Sequence, residues 1–339
     1  MGKVLNFGEL LLRICPDPEG NWLKVNNLPF FVGGAELNVA TALSLWGIPS
    51  AYMTSLPRNF LAEQLVAYVN ELGIDTSKIE YQGERIGLYY LHKGKDMKNA
   101  GVIYDRSNSS FATLATGVVN WDEAFKDISW FHFSAICPAL SQLTVDLCEE
   151  ALIEASKRNI TISIDLNFRE KLWKYGKAPI DVLPSLVKYC DVVMGNVWAA
   201  EKMLGITVDE DLVDNDDKAQ YLQQAERSSK LIQEQFPKCK AVANTFRFDH
   251  GQGVRYYSCL YTDQQLYVSK QYMAEKILDK VGSGDCYMAG LIYGFYQKQQ
   301  VQEILDFATA AAFSKLFIAS DATTLKPEEI KEIVIKYEN

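Results

Sequence analysis

The sequence of 339 residues is short of histidine, of excess positive charge and of long apolar runs, and each shortage excludes a class of protein. Its three histidines lie far apart along the chain, which argues against a histidine-based metal site. Lys and Arg number 34 against 43 Asp and Glu, and the net charge of −9 argues against general binding to a nucleic-acid backbone. No stretch reaches the roughly 18 apolar residues that a membrane-spanning helix needs.

Cysteine is present without a pattern. The seven cysteines include no Cys-x-x-Cys pair, which is typical of reduced thiols and predicts a cytoplasmic protein. The segment 1–20 carries Glu9 and Arg13 where a signal peptide needs an apolar core, so a first strand is expected there instead. The composition, 48% hydrophobic and 23% charged, is that of a globular protein.

Short apolar segments alternate with helical ones along most of the chain. We expect strands in the β-branched and aromatic runs 3–11, 128–135, 160–166, 190–196 and 241–245. Helices are expected between them, for example over 35–47 and 141–159. Strands separated by helices of this length predict βαβ units, and therefore an α/β fold with a mostly parallel sheet flanked by helices.

Two regions break this rhythm. Segments 85–94 and 101–112 are strand-like and are joined by a short polar stretch without a helix, which predicts a hairpin. Residues 13–32 also lack helical periodicity. We interpret 13–32 and 85–112 as a small β lid, carried by a main α/β domain that comprises 1–12, 33–84 and 113–339.

The stretch DKVGSGDCYMAG, residues 279–290, carries the clearest chemical signal. Apolar residues after Asp285 recur at helical spacing, so Gly282, Ser283 and Gly284 are expected at a helix N-terminus, where backbone N–H groups favour an anion. A carboxylate held beside that anion suits a general base. In isolation the tripeptide also fits an ordinary tight loop. It is neither a Gly-x-Gly-x-x-Gly dinucleotide fingerprint, because Tyr287 stands at the third glycine, nor a Walker A loop.

This stretch resembles the C-terminal signature of the ribokinase-like, phosphofructokinase-B-type sugar kinases. The segment FVGGAELNVATALSLWG, residues 31–47, resembles their N-terminal signature. The resemblance covers the whole chain and implies a ribokinase-like Rossmann-type sandwich with a β lid. It also implies a kinase that uses ATP and Mg²⁺, with Asp285 as general base and the N–H groups of residues 282–284 as an anion hole.

Two arginines bear on the substrate. Strand alternation places Tyr104 and Arg106 on one face of the lid, and Arg106 suits a carboxylate, although a surface arginine paired to an acid fits equally well. Arg169 follows a strand at the edge where parallel sheets bind ligands, or it caps the next helix.

The segments 87–94, 102–112 and 165–173 resemble the 2-keto-3-deoxygluconate kinase branch of the family. That likeness implies substrate contacts at Gly33, Gly34, Asn38, Tyr89, Tyr104, Arg106, Arg169 and Asp321. It implies nucleotide contacts at Asn167, Asn196, Thr245, Arg247, Gly282 and Gly284.

The family's Asn-x-x-Glu, which organises magnesium, here ends in Ala199, and Glu201 points elsewhere on a helix. No direct metal ligand is predicted, because Mg²⁺ would be carried by ATP, and the need for a monovalent cation stays open.

The expected activity is phosphorylation of the 6-hydroxyl of 2-keto-3-deoxygluconate. The alternatives are a kinase of a neutral sugar, of the fructokinase or ribokinase type, and a catalytically weak sugar-acid sensor suggested by Ala199. The expected partners are a sugar acid and ATP, with neither nucleic acid nor membrane. An exposed lid edge predicts a homo-oligomer.

Overall fold

The computed structural model describes residues 2–17, 19–24, 26–92, 101–212 and 217–337. Its centre is a nine-stranded sheet with the order β14-β13-β12-β11-β10-β9-β1-β4, in which β15 also pairs with β13. The strands are β1 (Lys3–Phe7), β2 (Leu11–Ile14), β3 (Phe30–Gly33), β4 (Ser50–Met53), β5 (Ser55–Leu56), β6 (Glu80–Tyr81), β7 (Gly87–Tyr90), β8 (Ile103–Asp105), β9 (Ile128–Ser134), β10 (Thr161–Asp165), β11 (Val192–Gly195), β12 (Ala241–His250), β13 (Gly253–Thr262), β14 (Gln265–Val268) and β15 (Tyr272–Ala274).

Helices connect the parallel strands and cover both faces of this sheet. They are α1 (Ala35–Leu45), α2 (Phe60–Glu71), α3 (Trp121–Ala124), α4 (Gln142–Lys157), α5 (Pro179–Val187), α6 (Val197–Leu204), α7 (Lys218–Gln235), α8 (Ser283–Tyr296), α9 (Val301–Lys315) and α10 (Pro327–Lys336). None of the helices in the described ranges has the length and apolar content to cross a membrane.

The core lies in two layers because strand residues alternate between the faces. In β1, Leu5 and Phe7 join the apolar cluster that contains α4, α5 and α6, whereas Val4 joins the cluster of α1, α8, α9 and α10. β1, β4, β9, β10, β11 and β12 all pair in parallel, so their carboxyl ends meet at one edge. The predicted α/β fold with a mostly parallel sheet is confirmed.

A second sheet of four strands, with the order β3-β2-β7-β8, contains the segments that were predicted to form a lid, and we call it the lid sheet. β7 and β8 are antiparallel, with Tyr89 opposite Tyr104, as the hairpin prediction requires. The polar connection 95–100 of that hairpin lies outside the described residues. β2 pairs in parallel with β7 and antiparallel with β3, so the lid strands come from the segments around 11–33 and 85–112.

The far edge of the large sheet is antiparallel, which the sequence did not predict. β12 runs on to His250, five residues beyond the predicted strand, and turns back into β13. Alternating aromatic residues stabilise this extension, since Phe246 and Phe248 stack on Tyr257 with ring centroids 4.8 and 6.1 Å apart. The extension carries Arg247, which lines the larger of the two cavities described below.

Candidate active site

Two adjoining cavities lie at the edge where the parallel strands end. The larger has a volume of about 750 Å³ and the smaller about 40 Å³. Residues that line both cavities mark where their contents would meet: Tyr104, Asn167, Arg169, Val281 and Asp285. A molecule in the larger cavity and one in the smaller cavity can therefore share contact with Asp285.

The N-terminus of α8 projects into the larger cavity and is built on glycine. Gly282 caps the helix with a φ of 78°, a left-handed conformation that favours glycine. A Cβ at this position would lie 1.7 Å from the carbonyl oxygen of Asp321, so a larger residue does not fit. The hydroxyl of Ser283 donates to the carbonyl of Ala312 (2.9 Å) and ties the turn to α9. First-turn N–H groups have no acceptor within their own helix, so this end of α8 suits an anion.

Asp285 lies in the first turn of α8, and a side chain of α1 holds its carboxyl group in place. Its Oδ2 accepts a hydrogen bond from Nδ2 of Asn38 in α1 (2.7 Å). Burial raises the pKa of Asp285 to about 8, against the opposing effect of the Asn38 bond. Asp165 and Glu36 raise this pKa further, whereas the positive charge of Arg169 lowers it. An aspartate with this pKa accepts a proton much more readily than an ordinary one.

The raised pKa of Asp285 predicts how activity depends on pH. We expect kcat/KM to rise with pH along a limb with its midpoint near 8, because the proton-accepting carboxylate forms as the pH passes the pKa. Asn38→Ala removes a hydrogen bond to the charged form, so the limb should move to higher pH. Initial rates between about pH 6 and 10 measure the midpoint. A profile that is flat over this range would remove Asp285 from the role of base.

The smaller cavity gathers most of the predicted substrate contacts. Gly34, Asn38, Tyr89, Tyr104, Arg106 and Arg169 all line it. Tyr89 and Tyr104 extend from paired lid strands with their rings 6.3 Å apart. Gly34 has a φ of 146°, and a Cβ there would lie 2.4 Å from the carbonyl of Glu9. The two tyrosines and this glycine leave a narrow, partly apolar space.

Gly33 and Asp321 lie outside the lining of both cavities. A Cβ on Gly33 would lie 2.5 Å from Oδ2 of Asp321, so the two residues are in close contact. That same oxygen accepts a hydrogen bond from Tyr89 (3.3 Å). Gly33 and Asp321 thus contact each other and Tyr89 at the base of the lid sheet, and their predicted contact with the substrate stays a prediction.

Arg106 is paired to an acid that sequence analysis missed. Its Nε donates to Oε2 of Glu9 (2.5 Å), and the other Glu9 oxygen accepts from the hydroxyl of Ser109. Both charged side chains are buried, 7% and 1% exposed. Within the described ranges, the terminal nitrogens of Arg106 have no hydrogen-bond partner, so the guanidinium is fixed through Nε and still presents donors to the cavity.

Removing the partner of Arg106 should destabilise the fold. Glu9→Ala leaves a buried guanidinium without its counter-charge, and we expect the free energy of unfolding to fall by about 3 kcal/mol. Urea denaturation followed by circular dichroism measures the change. Glu234→Ala, at an exposed position of α7, is the control and should leave stability unchanged. Equal stability of the two variants would mean that the pair adds nothing to the fold.

Glu36 is a second carboxylate that the sequence did not reveal. It lies in α1, is buried, and accepts hydrogen bonds from the backbone N–H (3.0 Å) and the hydroxyl of Ser134 at the end of β9. Burial raises the pKa of Glu36, offset in part by the hydroxyl of Ser134. It lines the smaller cavity beside Asn38, so it adds negative charge next to Asp285.

The loop after β10 carries Asn167 and Arg169, which were predicted to contact ligands, and places both where the two cavities adjoin. Asn167 has a φ of 26°, and its N–H donates to Oδ1 of Asp165 (3.0 Å). The turn directs Arg169 back toward the cavities, where its Nη1 donates to the carbonyl of Phe168 (2.9 Å). Since Arg169 lines both cavities, its charge can act on groups in either one.

The larger cavity contains every residue predicted to contact a nucleotide. Asn167, Asn196, Thr245, Arg247, Gly282 and Gly284 line it. Cationic side chains also converge there in a chain of net negative charge: Arg169, Lys171, Lys202, Arg247 and Lys280. Asn196 has a structural role as well, since its Oδ1 accepts from the N–H of Ala199 and caps α6 (2.8 Å). The cavity therefore has the charge and the size for a polyphosphate.

Within the described ranges there is no group of three or more His, Cys, Asp or Glu side chains that could hold a metal ion. Ala199 is buried, and Glu201 pairs with Lys202 (3.2 Å) without lining the cavity. Asp165 lines the larger cavity near Asp285 and is the buried carboxylate suited to a phosphate-bound Mg²⁺. Sequence analysis missed it, although it ends a predicted parallel strand.

Several known proteins are similar to this chain in sequence and in fold. Residues 1–316 match the sequence profile described as pfkB family carbohydrate kinase. A 2-dehydro-3-deoxygalactonokinase from Haloferax volcanii is 26% identical over 333 residues, which cover 98% of this chain and 96% of the relative. A 5-dehydro-2-deoxygluconokinase from Clostridium botulinum is 26% identical over 310 residues, 89% of this chain and 83% of the relative. The crystal structure of 2-dehydro-3-deoxygluconokinase from Thermotoga maritima superposes with a TM-score of 0.89 at 29% identity, covering 99% of this chain and 100% of that one.

Proposed function

Because the chain belongs to the pfkB family of carbohydrate kinases, we propose that it transfers the γ-phosphoryl group of ATP to the 6-hydroxyl of 2-keto-3-deoxygluconate. The relatives described above support a sugar acid as the substrate, because they are named as kinases of dehydro-deoxy sugar acids. ATP would bind in the larger cavity, and the sugar acid would contact the residues of the smaller cavity and extend from it into the larger one.

The position of Asp285 carries the proposal. Its carboxyl group lines both cavities, lies in the first turn of α8, and is fixed by Asn38. A sugar hydroxyl in the smaller cavity and a terminal phosphate in the larger one would therefore meet beside one carboxylate and one helix N-terminus. Phosphoryl transfer depends mainly on such positioning and on stabilisation of charge.

In the proposed mechanism Asp285 accepts the proton of the attacking hydroxyl as the new O–P bond forms. The bond between the γ-phosphorus and the β,γ-bridging oxygen breaks in the same step, and ADP leaves with that oxygen. The N–H groups of residues 282–284 donate to the oxygens of the transferring group, and the charge of Arg169 adds to this stabilisation. Kinases of this family use ATP with Mg²⁺, and the metal would neutralise phosphate charge, with Asp165 as the carboxylate placed to hold it.

Two guanidinium groups support an acid substrate. Arg106 and Arg169 both line the smaller cavity, and each presents donors that match the geometry of a carboxylate. Because Glu9 fixes Arg106 through Nε, the terminal nitrogens are oriented before the substrate arrives. Tyr89 and Tyr104 would then pack against the carbon chain of the sugar.

A neutral sugar is the second candidate, and the pairing of Arg106 with Glu9 is the observation that favours it. Glu9 already neutralises the charge of Arg106, so this guanidinium adds little net positive charge to the cavity. A neutral sugar would need only the hydrogen bonds of Gly34, Asn38 and the tyrosines.

A coupled assay of ATP consumption over a substrate panel separates the candidates. The panel comprises 2-keto-3-deoxygluconate, its galactonate-derived epimer, 5-dehydro-2-deoxygluconate, fructose and ribose. We expect the highest kcat/KM with 2-keto-3-deoxygluconate. Preference for fructose or ribose would overturn the acid substrate, and ligand-induced thermal stabilisation without ATP consumption would overturn the kinase activity.

A further inference from the structure

Four charged side chains lie buried beneath residues 279–282, the turn that leads into α8. None of the four lines either cavity. Arg13 comes from lid strand β2, Asp279 from the segment before α8, Lys315 from the end of α9, and Asp321 from the loop after it. All four are at most 2% exposed. The proposed mechanism assigns no task to any of them, and burial of four charges is costly unless each is neutralised.

The carboxylate of Asp279 and the backbone carbonyl of Asp321 hold the shape of the turn. Oδ1 of Asp279 accepts from the N–H of Val281 (3.0 Å), directly before the glycine that caps α8. The carbonyl of Asp321 packs against Gly282, where a Cβ would lie 1.7 Å from it. The backbone that presents the anion-hole N–H groups is thus fixed by two residues that carry negative charge.

Arg13 neutralises the carboxylates from the lid side. Its Nη2 contacts Oδ2 of Asp279 (3.1 Å) and Oδ1 of Asp321 (2.5 Å), and its guanidinium lies over the ring of Phe31, 4.2 Å from the centroid. One guanidinium therefore joins the lid sheet to the turn before α8.

Lys315 supplies the second positive charge. Its side chain is fully buried, and its Nζ donates to the carbonyl of Ile318 (3.1 Å) in the loop that leads to Asp321. A Cβ on Gly282 would lie 3.4 Å from its Cε, so the side chain passes directly under the cap of α8. With Lys315 the cluster has two positive and two negative charges. Without it the cluster carries a net negative charge below a site that must receive phosphate.

We propose that Lys315 is a positioning residue for phosphoryl transfer: it balances Asp279 and Asp321 and keeps the N-terminal turn of α8 in the conformation that receives the transferring group. The inference rests on the proposed function of that turn. Because Lys315 touches neither cavity, it acts through residues 279–282, and its loss should affect kcat while substrate binding changes little.

The test compares Lys315→Met, the double variant Lys315→Met with Asp279→Asn, and Lys331→Met, which removes an exposed lysine of α10. Each full-length protein is assayed with ATP and the carbohydrate that the wild type phosphorylates best. We expect Lys315→Met to lower kcat by about 10-fold, less than the roughly 100-fold lost when an anion-hole donor itself is removed, with KM for the sugar nearly unchanged. The double variant should recover part of kcat, because the charge balance returns. Lys331→Met should match the wild type.

Unchanged kcat in Lys315→Met, even with a lowered melting temperature, would overturn the inference, as would a double variant no more active than the single one. If Lys315→Met does not fold, Lys315→Ala is assayed with and without propylammonium. Recovery of kcat by the amine supports the inference, and absence of recovery in a folded variant overturns it. A wild type that phosphorylates no carbohydrate would instead contradict the proposed function, so the two failures are distinguishable.

Discussion

Replacing Asp285 by Asn is expected to lower kcat by about 100-fold or more, the scale of a lost general base. The substituted amide keeps the shape of the side chain and can still accept the hydrogen bond from Asn38, but it cannot take the proton of the attacking hydroxyl. Steady-state kinetics with ATP and the best sugar acid measure the change, and KM should move far less than kcat.

A matched variant tests whether the loss reflects chemistry. Asp249→Asn removes an exposed carboxylate that lines the same cavity and pairs with Lys280 (2.7 Å), and it should lower kcat only slightly. The melting temperature of Asp285→Asn should equal or exceed that of the wild type, because a buried carboxyl with a raised pKa does not stabilise its charged form. Near-normal turnover in folded Asp285→Asn would exclude this residue as the base.

Arg106→Leu is expected to raise KM for a sugar acid by about 100-fold, the loss of a buried charge-assisted contact. A neutral sugar does not need the guanidinium, so its kcat/KM should change little by comparison. The ratio of the two specificity constants is the quantity to measure, because it cancels any loss of folded enzyme.

The control for Arg106→Leu is the double variant with Glu9→Leu. The single variant leaves Glu9 buried without its partner, whereas the double variant removes both charges and should recover stability. Discrimination against the acid should persist in the double variant. If the double variant binds the acid as tightly as the wild type does, Arg106 has a structural role only. Selection of an acid would then depend on Arg169.

The sequence predicts the elements of this fold well because its signals are local. Strand runs such as 128–135 and 160–166, and helices such as 35–47, are set by their own periodicity, and the structure places them within a few residues of the prediction. The turn formed by residues 282–285 also has a local signal, since φ at Gly282 and the start of α8 depend on neighbouring residues.

The features that the sequence did not predict are contacts between segments that lie far apart along the chain. Glu9 meets Arg106 across 97 residues, and Arg13 meets Asp279 across 266. Glu36 follows a predicted glycine pair, but only the fold shows that it faces Ser134 rather than solvent. Buried charges look like surface charges in a single sequence, because burial is decided by the whole chain. For the same reason the sequence did not show that Asp321 is buried against Arg13 and Gly33.

The phosphorus NMR spectrum of the reaction product shows whether the carboxyl of Asp285 directs a primary sugar alcohol toward ATP. The wild type is incubated with ATP, Mg²⁺ and 2-keto-3-deoxygluconate. We expect a new phosphate ester signal that the two protons of C6 split into a triplet, and we expect no such signal when Asp285→Asn is incubated for the same time. A doublet, which indicates transfer to a secondary hydroxyl, or equal product from the variant would contradict this role of Asp285.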